Sequence, residues 1–165
     1  MLKKWWACML VLVLLGSAAW AGNDFSYDQE RLGKLQLGLG EKEVKQIISG
    51  KPQLGREELW GADGQYHQEW RYPAAGITLG MASEKKGGPK SVFSITITSP
   101  STLQTQRGIG IGSTEAEVAT AYGAFRNAED SKPGEVLVAG SIFGGAMFHL
   151  QQGKVSRIFI GAAAE

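Results

Sequence analysis

The chain has 165 residues, with 17 Lys and Arg against 16 Asp and Glu and a formal charge of +1. So even a balance gives no electrostatic reason for a nucleic-acid or anionic-membrane partner. The single cysteine, Cys8, excludes an internal disulfide framework and a cysteine-built metal site.

The first elements read as an address. Met1 to Lys4 are basic, Trp5 to Leu15 form a nearly unbroken apolar run, and Ala19-Trp20-Ala21 places small residues before Gly22. That order describes a secretory signal peptide over residues 1–21, and the run is shorter than the roughly 20 residues of a membrane-spanning helix. The expectation is a periplasmic or secreted protein with no stable transmembrane insertion after cleavage. Cys8 sits inside the apolar run rather than at the cleavage point, which argues against a lipid anchor. Removal of Lys3 and Lys4 with the leader moves the formal charge just below zero.

An internal repeat follows. Leu35-Gln-Leu-Gly-Leu-Gly-Glu-Lys-Glu-Val44 aligns with Ile109-Gly-Ile-Gly-Ser-Thr-Glu-Ala-Glu-Val118 at a constant offset of 74 residues. Each copy opens a short helix. In the first, Gly40 stands at the cap, Val44, Ile47 and Ile48 form the apolar face, and Gly50 with Pro52 ends it. In the second, Thr114 and Glu117 have capping-box spacing, Val118, Ala121 and Tyr122 share a face, and Gly123 is the expected left-handed stop. Helices of two to three turns need a surface to cover.

Strands supply that surface. Gln65 to Tyr72 alternates, with Tyr66, Gln68, Trp70 and Tyr72 on one side and His67, Glu69 and Arg71 on the other. Ile77, Leu79 and Met81 continue at period two, and Phe93, Ile95 and Ile97 form a third line before Pro100. Val136 to Ala139, Ser141 to Gln151 and Lys154 to Gly161 read as the strands of the second half. Gln152-Gly153 is a hairpin turn, and Gly144-Gly145 a bend or bulge. The fold expected is α+β, as two tandem units over residues 22–102 and 103–165, each with a short helical segment on an antiparallel sheet. The boundary falls between Ser99 and Gln106.

With its Ile109 to Val118 opening and its Tyr122-Gly123 pair, the repeat resembles the tandem fold of beta-lactamase inhibitor proteins. More distantly it is similar to outer-membrane assembly lipoproteins of the SmpA/OmlA type. The resemblance implies two α/β units side by side whose exposed sheet faces form a concave binding surface. The chain lacks the disulfides of the former and the lipid attachment of the latter, and fold alone does not transmit function.

Tyr66, His67, Glu69, Trp70, Arg71 and Tyr72 are the candidate protein-binding residues, because large aromatics beside charges dominate protein interfaces. The other reading places the aromatics in the core beneath the helix and leaves the charged side exposed. Trp60 is either a loop anchor or a partner contact, and Phe143, Met147 and Phe148 pose the same choice. No catalytic residue, metal site or cofactor is expected: His67 and His149 are the only histidines, and neither stands in a ligand-spaced cluster. Two functions compete, both with an unidentified periplasmic or envelope protein as partner. One is a binding module, of inhibitor or immunity type, that antagonises a secreted protein. The other is a structural or assembly factor for cell-envelope components.

Overall fold

The computed structural model of the protein describes residues 25–163. The expected leader over 1–21 and its cleavage site lie outside them. The described residues are α+β, with two short helices and mostly antiparallel strands. None of the helices among them is long and apolar enough to cross a membrane.

A 3-10 turn at Tyr27–Gln29 precedes a small hairpin of β1 (Arg31–Leu32) and β2 (Leu35–Gln36). Helix α1 (Glu41–Ile47) leads into two edge fragments, β3 (Gln53–Leu54) and β4 (Glu58–Leu59). Both pair with β5 (Tyr66–Tyr72). Then come β6 (Ile77–Ser83), β7 (Ser91–Thr98), α2 (Glu115–Tyr122), β8 (Val136–Ser141), β9 (Gly144–Gln151) and β10 (Lys154–Gly161). The main sheet runs β3-β5-β6-β7-β10-β9-β8, with β4 beside β3 on β5. β7 and β10 pair from Arg157 opposite Thr98 to Ile160 opposite Ile95. Strands expected in two separate units therefore join in one sheet.

The side chains explain why one face is covered. Leu79, Ile95, Ile97, Ile158, Ile160 and Phe148 point to the same side and are fully buried. Val44 of α1 and Val118 and Tyr122 of α2 join them in one cluster. Tyr122 packs against Phe148 with ring centroids 4.5 Å apart. Neither helix is long enough to be stable alone, so this burial is what holds each in place. Thr114 caps α2 as its spacing requires: its Oγ1 accepts from the Glu117 amide at 3.2 Å, and Glu117 accepts from the Thr114 amide at 2.7 Å. Gly40 has no side chain to offer, so only the return bond from its amide to Glu43, 2.8 Å, exists at α1.

The two aligned segments make matching bonds. Gly38 and Gly112 both adopt left-handed backbone, φ 83° and 90°, a conformation open to glycine at little cost. Their amides donate to Val92 and Val155, whose own amides return to Leu39 and Ser113. Gly40 then bridges Ser91, and Thr114 bridges Lys154.

Three local expectations are corrected. Gly123 is right-handed, φ −58°, so α2 does not stop there but tightens into a 3-10 turn over Gly123–Phe125. Gly144-Gly145 pairs regularly with Gly140 and Ser141 and forms no bulge. A bulge lies instead where β7 meets Gly80 and Met81 of β6. It breaks the Phe93-Ile95-Ile97 line: Ile95 and Ile97 face the helices, while Phe93 turns to the other side. The Gln152-Gly153 hairpin has both residues at positive φ, 51° and 72°, the geometry that suits a two-residue turn.

Because β7 and β10 join the halves and the core is continuous, the protein should unfold as one unit. Phe148→Ala, in the second half, is expected to cost about 3–5 kcal/mol. Trp60 and Trp70 lie in the first half, so urea unfolding followed by their fluorescence should shift together with far-ultraviolet circular dichroism. Separate transitions would show that the halves unfold independently.

Candidate functional site: the uncovered face of the sheet

Parity divides the six candidate residues between the two faces. Trp70 and Tyr72 are each 3% exposed on the helix-covered face. Trp70 donates its indole N–H to Gln68 at 3.0 Å and lies beneath Lys45 of α1. Neither offers the exposed aromatic surface expected of it, because α1 needs an apolar floor and these rings provide one. Tyr66 is half-buried at the edge, opposite Leu59. His67, Glu69 and Arg71 face the other way.

That opposite face carries the candidate site. Register places Arg71, Thr78, Thr96, Phe159, Met147 and Val138 in one row across β5, β6, β7, β10, β9 and β8. A neighbouring row runs through Glu69, Gly80 and Ser94, and on the other side His149 sits beside Arg157 and Thr98. Most of these positions are half-buried and Arg71, Thr98 and Arg157 are exposed, so no second layer of helices lies over them. The face holds an open cleft of about 690 Å³.

One end of the cleft is aromatic. Trp60 stacks on His67 with centroids 3.8 Å apart and planes 8° from parallel. Phe93 meets the same imidazole edge-on at 4.5 Å. A side chain on Gly80 would come within 2.6 Å of the Phe93 ring, so glycine there makes room for it. His67 is consequently 5% exposed; its Nε2 lies 2.7 Å from Asp63 and its Nδ1 has no partner. Trp60 is thus a loop anchor in this structure. Bonds from the Gln65 amide and then from His67 hold the Asp63 carboxyl below its usual range.

Residues 55–60 form a strap along this end. Gly55 donates to the Glu69 carbonyl at 2.8 Å, and Gln68 donates back to Gly55 at 3.0 Å. Glu57 bonds Lys90 at 2.8 Å and the Gly87 amide at 2.9 Å, tying the strap to the β6–β7 loop. The bond from Lys90, aided by that from Gly87, holds the Glu57 carboxyl below the usual carboxylate range. The strap ends at Trp60, so Glu57 and Trp60 pin it at two points.

The other end is cationic. Arg71 pairs with Glu69, while Arg157 lies 2.8 Å from the His149 Nε2. Burial first, and Arg157 second, push the His149 imidazole below its ordinary value. A neutral imidazole beside a guanidinium supplies an acceptor but no compensating charge.

The three remaining candidates from sequence fall where packing sends them. Met147 is buried on the uncovered face, Phe148 is fully buried against α2, and Phe143 is 67% exposed at the β8–β9 tip. The sequence reading missed Phe93, Phe159 and Arg157. Phe159 and Arg157 were legible as alternate positions of β10; Phe93 was not, because only the bulge reverses it. Among the described residues no three His, Cys, Asp or Glu side chains gather as a metal site. The chain matches no known family model, no curated protein and no solved structure.

Two pH effects follow from these contacts. Glu57 has a lowered folded value, so its stabilisation is present above about pH 4.5 and fades as pH falls through the folded value. Glu57→Gln should remove that dependence and leave Lys90 without its carboxylate, seen as faster amide hydrogen exchange across 55–60 at neutral pH. His149 also has a lowered value, so its neutral form stabilises the fold above about pH 6.5 and that contribution is lost as pH falls below it. Between pH 7 and 5, roughly the span of one such titration, wild type should lose stability more steeply than His149→Gln in urea unfolding.

Proposed function

We propose that the protein is a periplasmic or secreted protein-binding module, of inhibitor or immunity type, that occludes a secreted partner with the uncovered face of its sheet. The observation that carries this reading is the asymmetry of the sheet: one face lies under two helices, and the other is an open cleft of about 690 Å³ between an aromatic and a cationic end. Six strands of six to eight residues, at ~4.8 Å spacing and ~3.3 Å rise, present about 600–750 Å² before side chains are counted. A standard interface buries about 800 Å² on each partner, so the face with its strap is of a fitting size.

Its chemistry also suits binding over catalysis. Both histidines are engaged, His67 between Trp60 and Phe93 and His149 against Arg157. A catalytic base needs a reacting proton within reach and an activated nucleophile beside it, and the cleft brings neither together. Rigid aromatics with exposed arginines are instead the groups from which hot spots are built.

The proposal extends to architecture: the two halves are tandem copies of one unit, side by side in a shared sheet. The matching bonds of Gly38 with Gly112 and of Gly40 with Thr114 support it, as does a strand order in which β5-β6-β7 meets β10-β9-β8. The resemblance to beta-lactamase inhibitor proteins and SmpA/OmlA-type lipoproteins belongs to the same proposal, as does work in the periplasm or outside the cell, which the leader-like pattern of residues 1–21 supports.

Capture from a periplasmic extract, followed by measured affinity for the protein retained, tests the reading. Phe159→Ala and Arg71→Glu should each weaken binding at least tenfold, about 1.4 kcal/mol, while Thr120→Ala on the outer side of α2 leaves it unchanged. Loss of the partner's own activity in the complex marks an antagonist. Retention of several envelope assembly proteins without inhibition marks the assembly factor instead, and folded variants with full affinity would remove the uncovered face from consideration.

A further inference from the structure

We infer that the cleft receives a protruding segment of its partner protein that carries a large apolar side chain and, a short distance along, a carboxylate. This rests on the binding-module reading above and names the chemistry the partner must bring. The argument starts from charge. Arg71 has a carboxylate neighbour in Glu69, but Arg157 faces only the His149 imidazole. Burial disfavours the charged form of that ring, so it does not compete as a second cation and leaves the guanidinium uncompensated. Among the described residues no carboxylate pairs with Arg157.

The opposite end has the reverse character. Trp60 and Phe93 enclose His67 there, and Glu58 stands opposite His67 on β4, exposed and without an ion-pair partner among the described residues. Arg56 of the same strap also lines this end, so the two opposite charges leave it without a net charge, and an apolar ring finds two aromatic side chains there. His67 and Arg71 are four residues apart on β5, and Arg157, opposite Thr98, stands one row beyond the row of Arg71, Thr78, Thr96 and Phe159, which sets the aromatic row and that of Arg157 about 20 Å apart at ~3.3 Å per residue. An extended segment spans that distance with an apolar residue and an acid about six positions apart. Arginine suits the acidic end because its planar fork can hold a carboxylate with two parallel bonds.

Panning a random dodecapeptide display library on the immobilised protein tests this, with selected peptides then measured by fluorescence anisotropy. The expected pool combines Trp, Phe or Leu with Asp or Glu at that spacing, and its affinity falls as salt rises. Arg157→Glu should weaken such peptides at least tenfold, Arg157→Gln several-fold, and Thr120→Ala not at all, with circular dichroism confirming that each variant is folded. A pool that is basic or purely apolar, acidic peptides indifferent to both Arg157 variants, or no peptide above bare surface overturns the inference. So does concentration-dependent dimerisation abolished by Arg157→Glu, which would assign the face to a second copy. If a natural partner still binds this face in any of these cases, only the proposed chemistry falls and the binding-module reading stands.

Discussion

Four residue pairs, from Arg157 opposite Thr98 to Ile160 opposite Ile95, join β7 to β10 at the centre of the sheet. Everything else depends on that junction. Each half alone has only three full-length strands and one helix of two turns, which is little apolar surface against the entropy of ordering the chain. Joined, the halves pool their inward side chains into one cluster running from Trp70 to Leu137, and both helices cover that single cluster from the same side.

The consequence is an imbalance between faces. Two short helices and their loops suffice for one side of a sheet and leave nothing for the other. An antiparallel sheet tolerates this, since its backbone bonds are satisfied within the plane and only side chains meet water. The uncovered face is nevertheless far from an ordinary wet surface. Met147 and Val138 are buried there, and His67 is enclosed between two rings. The strap through Gly55, Glu57 and Trp60 builds one wall, using bonds to Glu69 and Lys90 rather than a second core. A cleft walled by a pinned strap keeps its shape before a partner arrives, which reduces the ordering cost of binding.

Much of this was legible in advance because it is local. The alternation from Tyr66 to Tyr72 put His67, Glu69 and Arg71 on one side before any partner strand was known. The Thr114 and Glu117 spacing announced the start of α2, and Gln152-Gly153 announced a turn. The repeat of Leu35 to Val44 in Ile109 to Val118 foresaw two helix openings that make matching bonds. Less was legible where a second segment decides. Gly123 has the composition of a helix stop, yet Phe125 packs against Phe25, and the chain tightens through it. Phe93 obeys period two in sequence and breaks it in space, because the shift in pairing with β6 inserts one extra residue.

The sequence by itself determined the α+β class, the six long strands but not the four short ones, the two helix starts and the parity of β5, since each is set by the rotation of neighbouring residues along one segment. Only the tertiary structure decided which parity faces water. That choice depends on where α1 and α2 come to rest, and it buried Trp70 and Tyr72 while leaving Glu69 and Arg71 on the cleft. It also decided that Phe93 meets His67, that Trp60 closes over both, and that Arg157 stands beside an imidazole with no acid to neutralise it. Those contacts bring together residues from the loop after β4 and from β5, β7, β9 and β10, and no pattern within a single strand encodes a meeting between strands.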